Sequence, residues 1–141
     1  MNIRIAMILT SLYLVLIASV TVVSADHSYL LTVQQLEAGL SKASSSTQKG
    51  FMLIDVRSPE EHAQGFIPGT DFNIDFREMT ARHREIGAQL GDHIVVYCQS
   101  GRRSNIAAET LADLGYTHVY NVNGSMNAWI AAGFPVESGH R

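Results

Sequence analysis

The junction Tyr97-Cys98-Gln99-Ser100-Gly101-Arg102-Arg103-Ser104 constrains this chain more than any other stretch. The run before it, His93-Ile94-Val95-Val96-Tyr97, is short and β-branched, and it predicts a buried strand. After it, Asn105 to Leu114 predicts a helix, with Ala107, Leu111 and Leu114 on one face and Gly115 just past the end. The only cysteine therefore sits on a strand-to-helix turn. Successive backbone N–H groups in such a turn point inward and form an anion cradle. The positive end of the helix dipole and the charges of Arg102 and Arg103 add to the field. A thiol placed there should ionise more readily than usual and act as a nucleophile near neutral pH. Gly101 supplies a position where a positive φ costs little. A lone cysteine is otherwise a small buried hydrophobe. The glycine, the two arginines and the strand-turn-helix context favour the reactive reading.

With 141 residues the chain has room for one domain, and its net charge of −3 lacks the basic stripe of a nucleic-acid binder. The six histidines are scattered, and one cysteine can build neither a thiolate zinc site nor an internal disulfide. No metal and no cofactor is expected.

Residues 1–25 are set apart from the fold. Arg4 makes a short basic start, and Ile5 to Val23 is almost wholly apolar. Val23-Ser24-Ala25 then offers small or aliphatic residues at the positions a signal peptidase reads, with cleavage before Asp26. The rival reading is an uncleaved membrane anchor, because the run approaches bilayer length. Cleavage implies an exported protein, with the bacterial periplasm as the expected compartment and no membrane contact afterwards. Residues 26–141 then form the domain.

Within that domain, Thr32 is a plausible helix cap, followed by Val33, Leu36 and Leu40 at core spacing. Ser44 to Gly50 reads as a surface loop. Phe51 to Val56 predicts a central strand with Asp55 and Arg57 at its carboxyl end, where sites of open α/β sheets gather. Asp55 and Arg57 are candidates either for supporting the Cys98 site or for a structural ion pair. Ser58-Pro59-Glu60-Glu61 is a helix start in which Glu61 can complete a capping box. Phe76 to Leu90 reads as helix, broken near Gly87, and its charges read as a solvated face; an anion-attracting role for Arg82 or Arg84 is the alternative. His118 to Val122 predicts a strand, Asn123-Gly124 a turn, and Met126, Trp129 and Ile130 an apolar helix face. Glu137 to Arg141 reads as a tail. Strands and helices alternate, which predicts an α/β fold with a mainly parallel sheet.

Three stretches together resemble the rhodanese family of sulfurtransferases. Cys98 to Ser104 is similar to its C-x-x-G-x-R-S loop. Leu53 to Thr70 resembles its second signature, with Phe66 and Thr70 where the family usually has His and Ala. Gly115-Tyr116, Asn123-Gly124, Ala128-Trp129 and Gly133-Phe134-Pro135-Val136 make the third match, with Ser125 where a second Gly is common. The resemblance spans about residues 29 to 137. It implies the rhodanese topology, with helices on both faces of the sheet.

The resemblance also implies a reaction. Cys98 would take a sulfur from an anionic donor such as thiosulfate, and the N–H groups of Gln99, Ser100, Gly101, Arg102 and Arg103 would cradle it as a persulfide. Cyanide, a small thiol or a protein thiol would remove it. Arg103 stands at the signature position, where bracing the loop by an ion pair is the alternative to donor contact. Arg102 is then the candidate for holding the donor. The loop is one residue shorter than that of protein tyrosine phosphatases, which suits one sulfur atom better than a phosphate. A phosphatase or arsenate reductase on the same scaffold, and a non-catalytic persulfide carrier, are the alternatives.

Overall fold

Five short strands make one sheet, and every pairing within it is parallel. The computed structural model describes residues 28–46 and 48–139. The expected signal segment lies outside the described residues. Among the described residues no helix is long and apolar enough to cross a membrane. The strands are β1 (Ser28–Leu31), β2 (Met52–Asp55), β3 (Phe72–Asn73), β4 (His93–Tyr97) and β5 (His118–Val122), in the order β1-β5-β4-β2-β3. Parallel sheets are covered on both faces, so their inner strands read as continuous apolar runs. That is the pattern of β2 and β4, in which Leu53, Ile54 and Ile94 to Tyr97 are all buried.

Alternation along β4 divides the core. Ile94 and Val96 face one layer together with Cys98, while Val95 and Tyr97 face the other. The first layer is closed by α3 (Met79–Arg82) and α4 (Arg102–Asp113), through Met79, Ala107, Ala108 and Leu111. The second is closed by α1 (Val33–Ser44) and α5 (Ser125–Ala131), through Val33, Leu36, Met126 and Trp129. The remaining helix, α2 (Pro59–Gln64), is capped as its sequence predicts. Ser58 Oγ accepts from the Glu61 N–H, and the Glu61 carboxylate accepts from the Ser58 N–H. The equivalent box at α1 uses Thr32 and Gln35.

Three readings of the sequence are corrected. The segment from Phe76 is not one helix but a 3₁₀ turn, α3 and a second 3₁₀ turn, ended by Gly87 at φ 68°. Its Arg82 pairs with Glu78 and Glu85 at the surface, in keeping with a solvated face. Ile130 is 54 % exposed and is not part of the α5 core face. Glu137 does not start a free tail, because it exchanges two backbone hydrogen bonds with Phe66, at 2.8 and 3.0 Å.

Because all five strands run the same way, the carboxyl ends of β2, β4 and β5 open on one edge of the sheet. Asp55, Cys98 and Ser125 stand there, at or just past those ends.

Candidate active site

Cys98 leaves β4 and the chain turns at once into α4. The helix begins at Arg102, three residues earlier than its apolar spacing suggests, with Gly101 as its N-cap at φ 106°. A Cβ on Gly101 would meet the Gly124 nitrogen only at an ordinary 3.5 Å, so it is the left-handed backbone that favours glycine here. The early start brings the free N–H groups of the first helical turn back over the cysteine. The Gly101 N–H donates to Cys98 Sγ at 3.1 Å, and the Ser104 hydroxyl donates to it at 3.3 Å.

Cys98 is 1 % exposed. Burial pushes its thiol up, yet the net displacement is downward. The Ser104 hydroxyl and the N–H groups of Ser104, Gly101 and Ser100 favour the thiolate more than burial opposes it. The donors around this sulfur are neutral groups, and together they favour its anion.

The loop stays in this form because its carbonyls have partners elsewhere. The Met126 N–H, in the first turn of α5, donates to the Cys98 carbonyl at 3.1 Å, and the Asn127 N–H donates to the Gln99 carbonyl at 3.0 Å. Gln99 Nε2 donates to Asn127 Oδ1 at 2.6 Å. Asn121 Nδ2 donates to the Gly101 carbonyl at 3.2 Å. With its carbonyls turned to α5 and β5, the loop keeps its N–H groups for the sulfur.

The two arginines of the loop have different surroundings. Arg103 makes a two-pronged ion pair with Glu61 of α2, at 2.7 and 2.8 Å. Arg102 is exposed and has no ion pair among the described residues. Asp55 and Arg57 form the structural pair that the sequence left open. Arg57 Nε and an Nη of the same guanidinium donate to the Asp55 carboxylate at 3.0 and 2.7 Å, and both residues are buried. Arg57 also donates to the Gly65 carbonyl at 2.6 Å and to Gln99 Oε1 at 3.3 Å. The pair therefore supports the residue next to Cys98 and makes no hydrogen bond to the sulfur. His62 Nδ1 completes the cluster at 2.9 Å from Asp55, with its ring stacked on Phe66.

This arrangement has a family. A model of the rhodanese-like domain matches residues 32–132. The chain belongs to the rhodanese-like family. Among rhodanese relatives, the thiosulfate sulfurtransferase PspE of Escherichia coli is 41 % identical over 71 residues, covering 50 % of this chain and 67 % of PspE. A sulfurtransferase of Allochromatium vinosum is 36 % identical over 85 residues, covering 60 % of this chain and 77 % of that protein. In structure, a rhodanese-like domain protein of Staphylococcus aureus superposes with a TM-score of 0.64 at 26 % identity, over 79 % of this chain and 99 % of that one. The thiosulfate sulfurtransferase of Pseudomonas aeruginosa gives 0.70 at 23 % identity, over 81 % of this chain and 21 % of that one, a likeness of fold.

In this rhodanese site, sequence reasoning missed several contacts, among them those of the Ser104 hydroxyl, His62, Glu61 and Ser125. Glu61 was visible as a capping residue, and its second role needed the spatial meeting of α2 with α4. Ser125 was visible only as a backbone departure. Its hydroxyl accepts from the Cys98 N–H at 3.1 Å, across 27 positions of sequence. An apolar cavity of about 400 Å³, lined by Leu36, Phe51, His93 and Tyr120, lies at the amino end of β4, away from Cys98.

Proposed function

We propose that this rhodanese-like chain transfers a sulfane sulfur from thiosulfate, or a similar anionic donor, to cyanide or a thiol, through a persulfide on Cys98. Rhodanese membership and sulfurtransferase relatives support sulfur transfer in general. The observation that carries the finer reading is the buried Cys98 Sγ, held by the Gly101 N–H and the Ser104 hydroxyl and lowered in pKa.

In the first half-reaction the Cys98 thiolate attacks the outer sulfur of thiosulfate. The new sulfur–sulfur bond forms as the old one breaks, and its electron pair leaves on sulfite. The negative charge now sits on the outer sulfur of the persulfide. N–H groups at the amino end of α4 stabilise it there without having to reorganise. In the second half-reaction an acceptor anion attacks that outer sulfur and the thiolate returns. Arg102 is the residue proposed to hold the anionic donor, because Arg103 is committed to Glu61. The apolar run before Asp26 supports export, with the periplasm as the proposed compartment and Asp26 as the mature N-terminus.

Intact mass of the purified domain tests the cycle. A gain of one sulfur on thiosulfate, lost on cyanide with release of thiocyanate, is the expected result. No gain by a free thiol would overturn the thiosulfate reading and turn attention to aryl phosphate and arsenate.

A further inference from the structure

Ser125 is the only described residue other than glycine with a positive φ, 47°, and it is fully buried. A side chain in left-handed backbone is strained, and such strain persists where the surroundings hold the residue for a reason. The hydroxyl of Ser125 has two fixed partners. It donates its one hydrogen to the Val122 carbonyl at 2.9 Å and accepts from the Cys98 N–H at 3.1 Å. One lone pair remains, and Ser104 Oγ lies 3.3 Å from it.

Ser104 also has one hydrogen, and two acceptors compete for it. Cys98 Sγ and Ser125 Oγ are both 3.3 Å away. That distance is ordinary for a bond to sulfur and long for one between oxygens. A charged sulfur therefore takes the hydrogen, because a charge-assisted bond is the stronger. A neutral sulfur is a weak acceptor and releases it.

We propose that Ser125 is a positioning residue that receives the Ser104 hydroxyl whenever Cys98 Sγ carries no charge, so that the two serines form a two-position hydrogen-bond switch favouring the sulfur-loaded state. The link to loading rests on the reaction proposed above. There the attack of Sγ on the donor moves the negative charge to the outer sulfur as sulfite leaves with its electron pair. Ser104 then turns to Ser125, and no buried hydroxyl is left without a partner. When an acceptor removes the outer sulfur, the charge returns to Sγ and Ser104 turns back.

The sign of the effect is distinctive. Loss of the Ser125 hydroxyl harms the state with neutral sulfur, so it favours the thiolate. A residue that merely braced the loop would do the opposite. Titration of Cys98 by thiolate absorbance in the full domain tests this without any donor. Ser125→Gly and Ser125→Ala should each lower the midpoint by about half to one pH unit. Ser104→Ala should raise it. Ser125→Gly should have no effect in the Ser104→Ala background, since Ser125 acts through Ser104. Arg103 with Glu61, Arg102, and Asp55 with Arg57 and His62 are unchanged in every variant. Glycine accepts φ 47°, so Ser125→Gly keeps the test valid if Ser125→Ala fails to fold. A midpoint that rises or stays in Ser125→Gly, or a shift that survives without Ser104, overturns the proposal.

A second arm measures the loaded fraction by mass at a fixed ratio of thiosulfate to sulfite. Ser125→Gly should lower the ratio of loaded to free enzyme about threefold to tenfold. An unchanged ratio overturns the link to loading. If no form loads, wild type included, while the titration shifts appear as stated, the thiosulfate reading fails and the serine switch stands.

Discussion

Arg103 and Glu61 join the first turn of α4 to the first turn of α2 through two hydrogen bonds of 2.7 and 2.8 Å. Glu61 meanwhile caps α2 through the Ser58 N–H. One carboxylate therefore fixes a helix start and the rear of the cysteine loop. The partner guanidinium lies two positions from Gly101, whose N–H touches the sulfur.

This double duty has a pH signature. The Arg103 guanidinium, with help from the Ser58 hydrogen bonds, lowers the Glu61 carboxyl from its ordinary 4.5 to about 2. A group depressed on folding stabilises the fold above its unfolded value and loses that contribution as pH falls through the folded one. Glu61→Gln should therefore be less stable than wild type at pH 7, by about 1 kcal/mol or less because the pair is partly exposed. The difference should shrink between pH 4.5 and about 2, where wild type loses its charge. Urea unfolding at several pH values measures it, and a gap that stays constant with pH would refute the linkage.

Arg102 and Arg103 should fail in different ways. Arg102 is exposed and unpaired among the described residues, so Arg102→Ala should raise the apparent KM for thiosulfate about threefold to tenfold with little change in kcat. The effect should fade as salt rises, since an exposed charge is screened. Arg103→Ala should instead release Glu61 and lower kcat together with stability. Steady-state kinetics at two salt concentrations separates them, and an unchanged KM for Arg102→Ala would move anion binding elsewhere.

Asp55 and Arg57 predict a large stability effect. Both are buried, and removal of one partner leaves the other charge without compensation. Asp55→Ala should cost about 3–5 kcal/mol, as breaking a buried pair does. Thermal or urea unfolding reads this directly. A loss under about 1 kcal/mol would mean that Gly65, Gln99 and water satisfy Arg57 alone.

The legible parts of the sequence were those set by local chemistry. Strand β4, the turn at Gly101 and the helix after it follow from apolar spacing and one glycine. The α2 cap follows from Ser58, Pro59 and Glu61. What escaped was decided by distant backbone. Strand β1 sits at the sheet edge with Tyr29 and Leu30 exposed, so it carries no alternation to read. The bridge between Phe66 and Glu137 uses only N–H and carbonyl groups, which every residue has. Arg57 could be paired with Asp55 on proximity, but its reach to Gln99 depends on the register of β2 against β4. Ser125 stood out for its backbone alone. Its contact with Cys98 exists because β4 and β5 are neighbours whose carboxyl ends share one edge.

Cys98 carries the decisive chemical prediction. Burial raises its thiol, and the donors from Ser104, Gly101 and Ser100 lower it further than burial lifts it, to a net position below 9.0. If the thiolate is the attacking species, the rate of sulfur loading from thiosulfate should be level above that midpoint and fall about tenfold per pH unit beneath it. Stopped-flow loading across the pH range measures the curve, and thiolate absorbance of the resting protein should give the same midpoint. Cys98→Ser should abolish loading, by at least about a thousandfold, because the partners of this atom among the described residues, the Gly101 N–H and the Ser104 hydroxyl, are donors and not bases that could ionise a hydroxyl. Its stability should change by about 1 kcal/mol at most, since the smaller atom keeps the same donors. Loading that persists in Cys98→Ser would remove this cysteine from the reaction. A midpoint at or above 9.0 would mean that burial, and not the turn into α4, governs the sulfur.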